Sequence, residues 1–173
     1  MGYEIAAGLG ALGWSVGVGA RDEQRRVDAV AKLRTAGADA FGVPLDVTDD
    51  ESVTAAAELI ERRAGRLDVL VNNVGVAGGW PEEPTTVDLD TVRRLVETNV
   101  IGVIRVTHAM LPELSGTNIL INNACPGYVA TPLNGFSGTQ TPEQGAAIAI
   151  QLSALPDDGP TGQLFDDNGV VPW

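Results

Sequence analysis

The chain has little of what most functional centres are built from. A single cysteine, Cys125, excludes an internal disulfide framework and fits a reducing compartment. One histidine, His108, beside that one thiol cannot complete a zinc site of the usual ligand set, so no metal is expected. Lysine occurs once, at Lys32, and tyrosine twice, at Tyr3 and Tyr128. Lys and Arg together number 11 against 23 Asp and Glu, a net charge of -12. Phosphate backbones and anionic membrane surfaces need clustered cations, so neither nucleic acid nor a membrane surface is an expected partner. No apolar run reaches the roughly 18 residues of a membrane-spanning helix. Met1-Gly2-Tyr3-Glu4 has neither the basic start nor the apolar stretch of a signal peptide, and Ala6 stands where a myristoylation pattern wants Ser or Thr. A cytoplasmic protein is expected.

What is present is a regular alternation. With 173 residues, 44% of them hydrophobic, the chain suits one packed domain. Residues 2–12 read as a helix with Ile5, Ala6, Leu9 and Leu12 on one face, stopped by Gly13. Residues 14–20 read as a strand, 22–36 as an amphipathic helix closed by Gly37, and 40–45 as a second strand. Thr48 and Glu51 have the spacing of a capping box for a helix running to about Ala64. Leu67 to Val71 is nearly all apolar, as in a strand covered on both faces. Residues 78–86, with Gly78, Gly79, Pro81 and Pro84, read as an irregular loop. A long helix is expected over 88–113 and a strand over 117–124. Thr141 with Pro142 opens a further helix that ends before Pro156, and 163–165 reads as a last strand. This order predicts an α/β fold: a Rossmann-like, doubly wound, mostly parallel sheet, shortened to about five strands.

In such sheets ligands sit at the carboxyl ends of the strands. Gly8, Gly10 and Gly13 match a G-x-G-x-x-G pattern, but the run ends a helix instead of opening one, so close packing is the expected use. After the first strand, Arg21 can accommodate a 2′-phosphate or stand as a solvated surface cation. After the second, Asp46 can accept from an adenine amino group, with Val47 against the ring, or simply precede a helix cap. After the third come Asn72, Asn73, Val74 and Gly75, amides that must be satisfied and a glycine that admits a ligand, in a binding role, a strand-clamping role or both. Asn99 falls inside the apolar stripe Val92, Leu95, Val96, Val103 and Ile104, where a buried amide needs a partner, structural or catalytic. After the fourth strand, Cys125 reads as a small hydrophobe. The turn Pro126-Gly127-Tyr128-Val129-Ala130-Thr131 offers main-chain groups and a hydroxyl to a carboxamide.

Taken in order, these segments resemble the short-chain dehydrogenase/reductase family, in particular its carbonyl-reductase-like members, over essentially the whole chain. The resemblance implies an oxidoreductase acting on a small carbonyl or alcohol substrate, with NADP(H) favoured by Arg21. It implies cofactor contacts at Gly2, Asp46, Val47, Asn73 and Gly75, and a nicotinamide end lined by Pro126, Gly127, Val129 and Thr131. Asn99 would be the helix Asn of the catalytic tetrad. An oligomer is compatible with it.

The departures are absences. Val74 replaces the alanine usual in Asn-Asn-Ala-Gly. The family's first strand and most of its glycine-rich turn have no counterpart before Gly2, and only Ser115, Gly116 and Thr117 join Leu114 to Asn118 where the family carries a Ser and then Tyr-x-x-x-Lys. Four residues past Tyr3 is Ala7, and four past Tyr128 is Pro132. One Rossmann-like domain over 1–173, truncated at its start and internally deleted near 114–118, is therefore expected. In it strand 14–20 would pair directly with 67–71, and 118–124 would lie beside 67–71. The expected activity is nearly nil. The other readings are a non-catalytic nucleotide-binding or interaction protein, and a deletion product without function of its own.

Overall fold

The computed structural model describes residues 1–78, 85–111 and 118–172. Most of the expected loop at 78–86, including Gly79, Pro81 and Pro84, and the joint at 115–117 lie outside the described residues. The helices are α1 (Gly2–Ala11), α2 (Glu23–Thr35), α3 (Asp50–Ala64), α4 (Leu89–Val96), α5 (Gly102–Met110) and α6 (Pro142–Ser153). A π turn, Glu97–Ile101, joins α4 to α5, and a 3-10 turn covers Pro132–Asn134. The strands are β1 (Val16–Ala20), β2 (Ala40–Pro44), β3 (Asn123–Ala124), β4 (Leu164–Asp166) and β5 (Gly169–Val171). The chain clusters into two compact units. Residues 1–18, 27–42 and the described part of 113–173 form the first; 19–26 and the described part of 43–112 form the second.

In the first unit α1 packs on α6, and the G-x-G-x-x-G run explains how. A side chain at Gly8 would strike the Ile150 Cδ1 of α6, and one at Gly10 would strike Ala38 Cβ. Gly13, at φ 86°, turns the chain out of the helix. These glycines serve close packing and a helix stop. The contact lets Ile5, Ala6 and Leu9 close over Val16, Val30, Leu33, Ala40 and Ala146 as one core. The predicted cap of α6 holds: the Thr141 hydroxyl accepts from Gln144 N, and Gln144 Oε1 accepts from Thr141 N. β3 pairs parallel with β4, and β4 antiparallel with β5.

The second unit is centred on Val47, Val53 and Val106, with Leu45, Leu70 and Met110 against them. α3 opens one residue later than the sequence suggests. Its cap is Asp49, whose carboxylate accepts from Glu51 N at 3.1 Å. The Thr48 hydroxyl instead donates to Asp46, so the expected Thr48–Glu51 box is not made. Gly102, at the start of α5, lies so close to Val47 that a Cβ would fall 2.7 Å from its Cγ2 and 3.1 Å from its carbonyl oxygen. A Gly102→Ala variant is expected to lose roughly 1–3 kcal/mol by overpacking. Urea denaturation checks this, and an unchanged midpoint counts against the tight approach.

β1 and β2 form a two-stranded sheet. Asp39 O accepts from Val16 N at one end and Ala20 O from Leu45 N at the other, so the pair runs parallel. Two expectations fail here. Residues 67–71 form no strand, so β1 pairs with β2 alone among the described residues. Of 118–124, only Asn123 and Ala124 form a strand, and their partner is β4 rather than 67–71. The physical reason is that a strand exists only as one side of a ladder. Without a strand beside it among the described residues the 67–71 backbone stays open, and Val71, expected under cover, is exposed.

Candidate cofactor site

The second unit carries the residues expected on the adenine side. β1 ends at Ala20, whose carbonyl accepts from Arg26 Nη1 at 2.7 Å, and Asp22 caps α2 by accepting from Arg25 N at 2.8 Å. Between these fixed points the Arg21 side chain stands 73% exposed, its Nη1 3.9 Å from Asp46 Oδ2. At that distance and exposure the pair is loose, and the guanidinium remains available. Asp46 is held more firmly. Its Oδ1 accepts from the Thr48 hydroxyl at 2.7 Å and from Thr48 N at 3.0 Å, while its own N–H donates to Ser52 Oγ at 2.9 Å. Those Thr48 bonds, with a smaller contribution from Arg21, hold the carboxyl below its ordinary range. Asp46 is therefore an ionised acceptor with Oδ2 outside the Thr48 bonds. The Val47 side chain is buried against Gly102, so the residue can meet a ligand through its backbone but not by lying flat against a ring.

Farther along, Asn72 Nδ2 reaches Thr107 Oγ1 at 3.3 Å, tying the segment to α5. Asn73 and Gly75 are exposed. The Asn99 amide grips the backbone of Val76 with both ends: Oδ1 accepts from Val76 N at 2.9 Å and Nδ2 donates to Val76 O at 2.8 Å. Asn99 is exposed, not buried as its place in the apolar stripe implies. The stripe itself is not a buried face: Val92, Val96 and Ile104 are exposed too, and Thr98, within the π turn, is the residue buried there.

The residues expected at the nicotinamide end lie in the first unit. Cys125, exposed rather than buried, follows β3. Gly127 has φ 72°, and the Gln140 side-chain amide sits where its Cβ would be, at 2.8 Å. Gln140 Nε2 donates to Asp167 Oδ2 at 2.9 Å. The Val129 side chain is buried over Gly145, and the Asn134 amide bonds both Val129 O and Thr131 N. Pro126, Gly127, Val129 and Thr131 thus share one cross-braced turn, to which Val129 contributes backbone only. Gly2 lies in the first turn of α1, half-buried.

The family model for short chain dehydrogenases matches residues 1–118. The chain belongs to the short-chain dehydrogenase family. It is similar to short-chain dehydrogenase/reductase 1 of Saponaria officinalis, 32% identical with 100% of this chain and 92% of that protein covered. It is also similar to NADPH carbonyl reductase 1 of Mus musculus, at 25% identity over 89% of this chain and 87% of that one. Salutaridine reductase from Papaver somniferum has the same fold, with a TM-score of 0.82, 22% identity and 95% of each chain covered. This short-chain dehydrogenase is an α/β Rossmann-like protein, and no helix among its described residues is long and apolar enough to cross a membrane.

The charges of the second unit suit a dinucleotide at its adenine end: an exposed guanidinium for a phosphate and an ionised carboxylate for an amino group. Sequence reasoning missed Arg105 and Gln140. Gln140 gave no signal beyond lying near a proline-glycine turn. Arg105 gave a faint one, a cation on an otherwise apolar stretch of helix.

Proposed function

We propose that this short-chain dehydrogenase binds NADP(H) and that its reduction of a small carbonyl substrate is nearly silent. Supporting the first part is the exposed Arg21 guanidinium beside the ionised Asp46 carboxylate. Arg21 would hold the 2′-phosphate, Asp46 Oδ2 the adenine amino group, and the Val47 backbone the ring edge. Asn73 and Gly75 would border the ribose. For the first unit the family resemblance alone supplies the roles: Gly2 for the phosphates, and Pro126, Gly127, Val129 and Thr131 for the carboxamide, through main-chain groups and one hydroxyl. The cofactor, when bound, supplies the hydride; the chain's part is to orient it and to provide a proton.

The second part rests on the sequence, which carries no Tyr-x-x-x-Lys. It is also supported by the Saponaria relative, whose alignment runs over 279 positions against the 173 residues available here, so long stretches of that relative have no counterpart. An internal deletion near 114–118 accounts for part of this. Asn99, the tetrad's helix Asn by resemblance, has its amide engaged with Val76 and would act through the backbone it orients. Fluorescence titration tests the binding. NADPH is expected to bind more tightly than NADH, and Arg21→Ala to weaken NADPH by about 10- to 100-fold, the worth of one charge-assisted contact, while sparing NADH. Equal affinity for the two nucleotides, unaffected by the substitution, rejects the proposal.

A further inference from the structure

Arg105 lies in α5 with its side chain only 20% exposed, and its guanidinium holds three segments at once. Nη1 donates to Val47 O at 2.6 Å, Nη2 to Glu97 Oε1 at 2.9 Å, and Nε to the Asp50 carboxylate. These acceptors belong to the loop after β2, the first residue of the π turn and the first turn of α3. Gly102, one turn earlier, brings the helix near enough for the guanidinium to reach the Val47 carbonyl.

A trans peptide points its C=O and N–H in opposite directions. With Val47 O turned toward Arg105, the N–H of Thr48 on the same peptide plane faces the other way, and there it donates to Asp46 Oδ1 at 3.0 Å. We infer that Arg105 is a positioning residue that fixes the Val47–Thr48 peptide and, across it, the orientation of the Asp46 carboxylate. This deepens the reading of Asp46 as the adenine acceptor, and its consequence for cofactor binding rests on that reading. The planar fork is what the task requires: a lysine ammonium is a point donor that cannot span three acceptors in this geometry. The charged groups facing the pair are Arg21 beside Asp46, and Asp50 and Glu97 beside Arg105.

The test reads Asp46 directly, by carbon NMR titration of its carboxyl group in the whole protein without cofactor. In Arg105→Met the midpoint is expected to rise by about half a pH unit or more, as the Thr48 N–H bond loosens. Val106→Ala, which weakens the same unit's core without touching the guanidinium, is expected to leave the midpoint in place. Arg105→Lys is expected to raise it by an intermediate amount. A folded Arg105→Met with the wild-type midpoint overturns the inference, as does a rise of equal size in Val106→Ala. If Arg105→Met does not fold, an unchanged midpoint in Arg105→Lys overturns it. NADPH titration of the same variants separates the two readings. Roughly threefold to tenfold weaker binding in Arg105→Met supports both. A wild-type protein that does not bind NADPH ends the cofactor reading and leaves the carboxyl result standing.

Discussion

Mixed with NADPH and a reactive dicarbonyl, this chain is expected to turn over about 10²–10⁴-fold more slowly than a family member carrying Tyr-x-x-x-Lys, assayed alongside it. The deficit concerns the proton, not the hydride. A carbonyl oxygen that receives a hydride must take a proton in the same passage, and a positioned general acid is worth that factor. Neither phenol of the chain is set up to supply it. The Ser137 hydroxyl donates to Asn134 O at 2.7 Å, which leaves its oxygen to accept the Tyr128 O–H. That proton is therefore engaged inside the turn. Tyr3 lies in the first turn of α1 and has Ala7, not lysine, one turn on. A phenol works as a general acid at neutral pH when a neighbouring cation tunes it to the task. The Asn99 amide is engaged with Val76 on both sides. Turnover within about tenfold of the comparator would mean that some other group does the work of a general acid. NADPH binding without turnover is the expected pattern.

The helices were legible because their ends are local events. Gly13 and Gly37 carry positive φ, at 86° and 89°, and Thr141 with Gln144 closes a box within four residues. The strands were less legible because a strand is a property of its neighbour. Residues 67–71 have the composition of a buried strand and lack the partner, so composition alone misleads. The sequence points to Thr48 as the cap of α3, but the Asp46 carboxylate takes the Thr48 hydroxyl and Asp49 caps the helix instead. The stripe through Asn99 has the spacing of a buried face, yet Val92, Val96 and Ile104 are exposed along with Asn99, and burial falls on Thr98 in the π turn. Arg105 escaped notice because its partners Asp50 and Val47 lie 55 and 58 residues away in the chain. Arg21 and Asp46 were legible as candidates because each lies just past the end of a strand, and strand ends can be read before any strand pairing is known.

The core of the first unit supplies the largest stability effect. Leu33→Ala is expected to cost about 2–5 kcal/mol, toward the upper part of that range. Leu33 is 1% exposed and sits among Ile5, Leu9, Val16, Val30 and Ala40. The cost of such a cavity depends on whether its walls can move inward. Here the walls are already pressed together: Gly8 has no room for a side chain against Ile150, nor Gly10 against Ala38. α1 cannot advance on α6 or on the turn after α2, so most of the lost volume stays empty. Val27 on the same helix is the internal control. It is 52% exposed, and Val27→Ala is expected to stay within about 0.5 kcal/mol of wild type. A typical domain has only about 5–15 kcal/mol in hand, so the Leu33 variant is expected to unfold at visibly lower urea while the Val27 variant does not. Equal midpoints for the two variants would show that α2 does not bury Leu33 in this core.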